Sequence, residues 1–255
     1  MDIIEVPWAH PEPGRNDEFG LVGWTLPDAA RVLLGWLVIT FLIGAVAGAV
    51  PGARPNDTPS VVLLLLFAPP VALVVMTVLL ARMRSTDGVR RLVGLKPPSV
   101  RDVGAGLIYG VGGALVLMFA VGSLLQALVH VLDMRIPPLQ QDLHQLATGS
   151  AAPLAILLIV TVAPIAEELF FRGMLFQAFE RRLGVWSSAA LSAAVFSAVH
   201  VEPDPLASVI IIVPIFLFGM YLALIFRRRG TIITPVIAHM LFNGLGVLLI
   251  RAGTA

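Results

Sequence analysis

The sequence predicts an all-α protein, a polytopic transmembrane helical bundle of about seven (7–8) helices, and three observations carry that prediction. Of the 255 residues 58% are hydrophobic and 13% charged, about half the charged share of a water-soluble domain. Mean hydropathy is +0.92. The apolar residues fall in runs long enough to cross a hydrocarbon core about 30 Å thick, for which a helix needs roughly 20 residues. Val61 to Leu80 is such a run, with no charge and Thr77 as its one hydroxyl. A soluble core helix or strand would interrupt such a run with polar residues at its own period, and none occurs.

Residues 1–30 read as a polar cytoplasmic tail carrying Asp2, Glu5, Glu12, Asp17, Glu18 and Asp28, punctuated by Pro7, Pro11 and Pro13. It lacks the basic start and short apolar core of a cleaved signal peptide, so the apolar run after Arg31 is expected to be a retained helix. Residues 31–150 hold the N-terminal spans: Val32–Val50, ended by Pro51-Gly52; Val61–Leu80, with Pro69-Pro70 as an expected kink; and Val103–Val131, rich in glycine. Residues 132–150 read as a mixed loop around Pro137-Pro138. Residues 151–250 hold the rest: Ala152 to Arg182 as one long helix protruding at its end, Trp186–His200, Leu206–Phe226 and Ile232–Ile250.

Lys and Arg concentrate in 82–102, 180–182 and 227–230, which seven spans place on one side. The positive-inside rule makes that side cytoplasmic, with the N-terminus. The expected location is the cell membrane, multi-pass. A net charge of +1 without a large basic cluster excludes nucleic acid as a partner. Cysteine is absent, which excludes a disulfide framework, a thiolate nucleophile and a cysteine metal site. Nothing in the sequence fixes the oligomeric state.

Charged residues inside a bilayer are costly and mark function by default. Two places break the apolar pattern: Glu167-Glu168-Leu169-Phe170-Phe171-Arg172, and the histidines of Phe196-Ser197-Ala198-Val199-His200 and His239-Met240-Leu241-Phe242-Asn243. Glu168 and Arg172 are four apart, hence on one helix face, with the acid placed first as favours pairing. They are expected to form a neutralised pair that orders the site. Glu167 points about 100° away with no partner at helical spacing, which makes it the candidate general base. His239 and Asn243 share a face and can both donate hydrogen bonds across a helix gap, as an oxyanion needs. Beside Glu167, His200 would orient a water and share its proton. His130 and His144 fit no such set and read as surface residues. A transporter or a scaffold would use the same buried ions as a proton relay or a lock, although internal repeats of the kind carriers show are not visible between the halves.

These residues resemble a family. Glu167–Arg172 matches the Glu-Glu-x-x-x-Arg motif of the CPBP (CAAX protease and bacteriocin-processing) family of intramembrane proteases, also called the type II CAAX prenyl endopeptidase or Abi family. Phe196–His200 matches its Phe-x-x-x-His motif, and His239–Asn243 its last His-x-x-x-Asn motif. The resemblance covers residues 150–250 and implies an endopeptidase acting on a membrane-associated peptide or a prenylated (CAAX-type) protein. It implies that Glu167 activates water with His200, that Glu168 holds Arg172, and that His239 and Asn243 form the oxyanion pocket. Members are described both as metalloproteases and as metal-free glutamate proteases. The residues favour no cofactor: the His-Glu-x-x-His zinc helix is absent, and a catalytic zinc would draw on His200, His239 and a carboxylate, consuming the base. Zinc stays open as the alternative.

Overall fold

In lipid a chain must satisfy its backbone hydrogen bonds internally, and every regular element found is a helix. The computed structural model describes residues 23–49, 59–84, 90, 93–133, 141–202 and 204–253. Residues 1–22 of the expected tail and the turns at Pro51-Gly52 and Pro137-Pro138 lie outside these residues, whereas 26–30, expected as the tail's end, are the first turn of a helix. The helices are α1 (Leu26–Gly48), α2 (Pro59–Arg84), α3 (Val100–Val131), α4 (Gln141–Thr148), α5 (Ala152–Leu183), α6 (Val185–Ala198), α7 (Pro205–Arg229) and α8 (Ile233–Ala252). Six are long and apolar enough to cross a membrane; α6 is apolar but shorter. Large apolar side chains such as Phe41, Ile108 and Leu124 stand exposed, as befits a surface whose solvent is lipid. The chain is therefore a multi-pass membrane protein.

Local chemistry explains the helix ends. Thr25 and Asp28 form a capping box, with Pro27 in the first turn, so α1 starts six residues before the expected Val32. Ser99 caps α3 by accepting from the Asp102 amide, and Asp204 caps α7 by accepting from the Leu206 and Ala207 amides. Gly184 at φ 74° and Gly230 at φ 62° make the tight turns into α6 and α8. In α2 the helix runs through Pro69-Pro70, and the Trp36 indole of α1 donates to the Pro69 carbonyl at 3.0 Å. The expected loop at 132–150 is corrected in one part: Gln141–Thr148 is helical, with Ala147 buried and His144 exposed.

Ion pairs and hydrogen bonds fix which ends meet. Arg84 pairs with Asp28 at 2.6 Å, Arg227 with Glu180 at 2.5 Å and Arg229 with Asp102 at 2.7 Å, while Arg181 donates to the Trp24 carbonyl. The start of α1, the ends of α2, α5 and α7 and the start of α3 thus share one face, which gathers the three basic segments. On the other face Arg251, at the end of α8, donates to the Ala147 carbonyl of α4. Two close packings hold the bundle together between these faces. Gly106 and Gly110 of α3 lie against Ile237, Ala238 and Leu241 of α8, and Gly219 of α7 lies against Ala193 and Phe196 of α6. Small residues permit such approach where hydrophobicity alone gives no preference between helix and lipid.

Candidate active site

α5 is 32 residues long, and its glutamates sit at its midpoint. Stretches of π-helix at Leu158–Val162 and Phe171–Phe176 flank them. A π turn loosens the regular ladder and re-aims the side chains beyond it. The carbonyls around the second stretch find side-chain donors: Ser192 donates to Phe171 and Gln177 to Gly173.

Glu168 and Arg172 form the expected pair, Nη1 to Oε1 at 2.8 Å, with both side chains essentially sealed from solvent. A buried guanidinium needs more than one acceptor. Its Nη2 donates to the Gly219 carbonyl of α7 at 3.0 Å, and its plane lies 4.9 Å over the Phe196 ring of α6, a cation–π contact in a dry setting.

His239 of α8 completes the group. Its Nδ1 lies 2.8 Å from Glu168 Oε1. With a carboxylate as acceptor that nitrogen carries the proton, which leaves Nε2 as the nitrogen turned toward Glu167, 3.7 Å from Oε2. That distance is too long for a direct hydrogen bond. Phe218 and Phe196 meet the imidazole edge-on at 5.2 and 5.9 Å, and Phe218 stacks on Phe242 at 4.0 Å. The ring is thus held by one hydrogen bond and two aromatic walls. Glu167 is the accessible member, with 24% of its side chain exposed against 4% for His239.

The other two expected site residues stand further out. His200 lies in the turn after α6, its Nδ1 2.8 Å from the Phe196 carbonyl and its ring packed on Phe196 at 5.0 Å. It is one aromatic ring away from His239. Asn243 donates its amide to the Ile159 carbonyl at 3.0 Å, inside the first π stretch of α5. Among the described residues no hydrogen bond joins either to Glu167. The structure therefore brings Glu167, Glu168, Arg172 and His239 into one contact group, and joins His200 and Asn243 to it through Phe196 and α5.

Phe196 is the residue that sequence reasoning left without a task. It touches Phe171, His200, His239 and Arg172, yet an aromatic in an apolar helix reads as ordinary core. Gly219 gave no signal at all, because its part is played by a backbone carbonyl.

Among the described residues no three His, Asp or Glu groups are placed to hold one metal ion. An ion at Glu167 and His239 would need His200 as its third donor, across the Phe196 ring. As placed, Glu167, His200 and His239 do not meet at one point, and a zinc ion would require them to move.

A helical membrane bundle with a buried acid–arginine–histidine group and a second, accessible glutamate defines a class of intramembrane site. Residues 149–245 match the model of the family described as type II CAAX prenyl endopeptidase Rce1-like. An uncharacterized 24.3 kDa protein of Escherichia coli is 28% identical over 116 residues, 44% of this chain and 52% of the relative. The chain thus spans about half the length of the curated relative it matches. No solved structure matches the chain.

Proposed function

We propose that this protein is an intramembrane endopeptidase in which Glu167 activates water against a peptide bond of a membrane-associated or lipidated substrate. The observation that carries the reading is His239. Glu168 holds one of its nitrogens and leaves the other facing Glu167, 3.7 Å away, so that a water beside the pair could contact both.

A water there would pass one proton to Glu167 as its oxygen attacks the substrate carbonyl. The carbonyl oxygen becomes an oxyanion, for which the Asn243 amide is the candidate donor, joined by His239 Nε2 if the ring enters the reaction as the imidazolium with both nitrogens protonated. Asn243 must first turn its amide away from Ile159. Collapse of the tetrahedral species breaks the C–N bond, and Glu167 returns the proton to the departing amine. His200, on the far side of Phe196, would orient the water or take a share of its proton once substrate shifts that ring. Glu168 and Arg172 touch no reacting atom; they position His239. The cluster offers no serine or cysteine nucleophile, so water is the simplest attacking group. The family match of residues 149–245 supports the substrate class. The metal-free form rests on the residues themselves, with zinc as its alternative.

One observation favours a second reading. Glu168, Arg172 and His239 are buried together, as a purely structural lock between α5, α7 and α8 would also require. Glu167→Gln separates the two, since it keeps the shape and removes the base. The purified variant and the wild type are given prenylated and unprenylated membrane peptides, with and without a strong chelator. We expect at least a 10²-fold loss of turnover in the variant, the lower end of general-base effects, with binding and folding retained. Full activity in the variant overturns the mechanism. Loss on chelation that added zinc restores keeps the peptidase and replaces the metal-free account.

A further inference from the structure

A second polar feature lies on the basic face, where the end of α5 meets the start of α1. Trp24, Thr25, Ala178, Arg181 and Arg182 line a cavity of about 160 Å³ there, far above the roughly 10–15 Å³ that a single water needs. Among the described residues its charged lining is wholly cationic, and the carboxylates of Asp28 and Glu180 are engaged by other arginines. Asp28 is buried between Arg31 and Arg84 and accepts the Thr25 hydroxyl, while Glu180 holds Arg227. Arg181 reaches the Trp24 carbonyl with one nitrogen only, at 3.4 Å. Arg182 is exposed and makes no ion pair among the described residues. Buried Trp24 and Ala178 supply apolar walls.

Two guanidinium groups at the rim of a half-open recess, with no acid among its described lining residues, suit an anion with several acceptor oxygens, which a planar fork can grip in pairs. The cavity also lies at the ends of helices long and apolar enough to cross a membrane, on the face that carries Arg82, Arg84, Arg101 and Arg228 as well. Basic pockets between helices at that level hold acidic headgroups. We propose that this cavity binds a phosphate group, supplied by the headgroup of an acidic phospholipid, between Arg181 and Arg182. Bound there, the lipid clips the start of α1 to α5, the helix that carries Glu167 and Glu168. The proposal is independent of the catalytic reading.

The test uses the full chain in neutral detergent with phosphatidylglycerol, phosphatidylcholine or inorganic phosphate. Native mass spectrometry reads bound lipid and thermal unfolding reads stabilisation. Wild type should retain phosphatidylglycerol over phosphatidylcholine by about tenfold, the equivalent of one net charge-assisted hydrogen bond. The double variant Arg181→Gln, Arg182→Gln should lose that preference. Ala178→Val, which narrows the cavity and keeps both charges, should lose it too, whereas Arg228→Gln, on the same face outside the cavity, should keep it. Should the double variant fail to fold, Arg182→Gln alone and Ala178→Val decide in the same way. An undiminished preference in the cavity variants, or an equal loss in Arg228→Gln, means diffuse surface charge and overturns the site. Stabilisation by inorganic phosphate without lipid preference assigns the cavity to a soluble phosphate and overturns the lipid assignment.

Discussion

Glu168 is where the polar group is joined. One of its oxygens accepts from both Arg172 and His239, while Oε2 and Arg172 Nε are buried without a hydrogen-bond partner. Arg172 therefore depends on Glu168 for its opposite charge. Replacing Glu168 by Gln leaves the guanidinium sealed in the bundle, and removing one partner of a buried pair typically costs about 3–5 kcal/mol. We expect Glu168→Gln to lower both the yield of folded protein in membranes and the thermal unfolding temperature in detergent. Glu167→Gln, at a side chain one-quarter exposed and without a direct hydrogen bond, should leave stability near wild type. Normal stability in Glu168→Gln would show that Arg172 is compensated by something other than this carboxylate. The pairing of Glu168 with Arg172 was readable from their spacing, since both lie on one helix. The tie from Glu168 to His239 was not, because it joins residues 71 positions apart and depends on how α8 is rotated against α5.

Among the helices, glycine shows how sequence and structure divide the work. The α3 run contains Gly104, Gly106, Gly110, Gly112 and Gly113, and composition alone marks the helix as able to pack closely. Only the packing separates them. A Cβ on Gly110 would stand 2.8 Å from Leu241 Cδ1 and 3.0 Å from the Ala238 Cα, while one on Gly112 would meet nothing within 4 Å. Gly110→Ala must push α3 from α8 and is expected to cost about 1–3 kcal/mol, the usual range for overpacking. Gly112→Ala should be neutral or stabilise by up to about 1 kcal/mol through helix propensity. Reversible unfolding of the two variants in mixed micelles measures the difference, and equal effects would mean that the α3–α8 contact yields freely. The π stretches were invisible in the sequence. An apolar run such as Leu158–Val162 has no period that would tell a π turn from an α turn, and the Asn243 and Ser192 donors that meet carbonyls in those stretches come from other helices.

Across the whole molecule, contacts confirm that the three basic segments share a face, but the side of the membrane they occupy rests on the positive-inside rule. The natural absence of cysteine makes this easy to test, because any introduced cysteine is the only one in the chain. Arg101 is exposed on the basic face and His144 on the opposite one. In intact cells a membrane-impermeant maleimide should label His144→Cys and spare Arg101→Cys, which should react only after permeabilisation. The opposite pattern would turn the basic face, the N-terminal side of α1 and the cavity at Arg181 and Arg182 outward.

Some of this architecture was fixed by one-dimensional chemistry. Long uncharged runs can do little in water and must become spanning helices in lipid, so the all-α class and the length of α5 could be read directly. So could the presence of charges inside those runs, Glu167, Glu168 and Arg172, since a charge in a bilayer is too costly to be incidental. The early start of α1 was also written in Thr25-x-x-Asp28, a local signal that the hydropathy of the run obscured. Partnership between helices was decided only in three dimensions. His239 and Asn243 share a face, yet the imidazole binds Glu168 while the amide binds Ile159, and His200 is set one ring back behind Phe196. Hydropathy fixes how far a helix crosses the membrane; its rotation and depth against its neighbours are set by side-chain volume and by the few hydrogen bonds available in a dry interior.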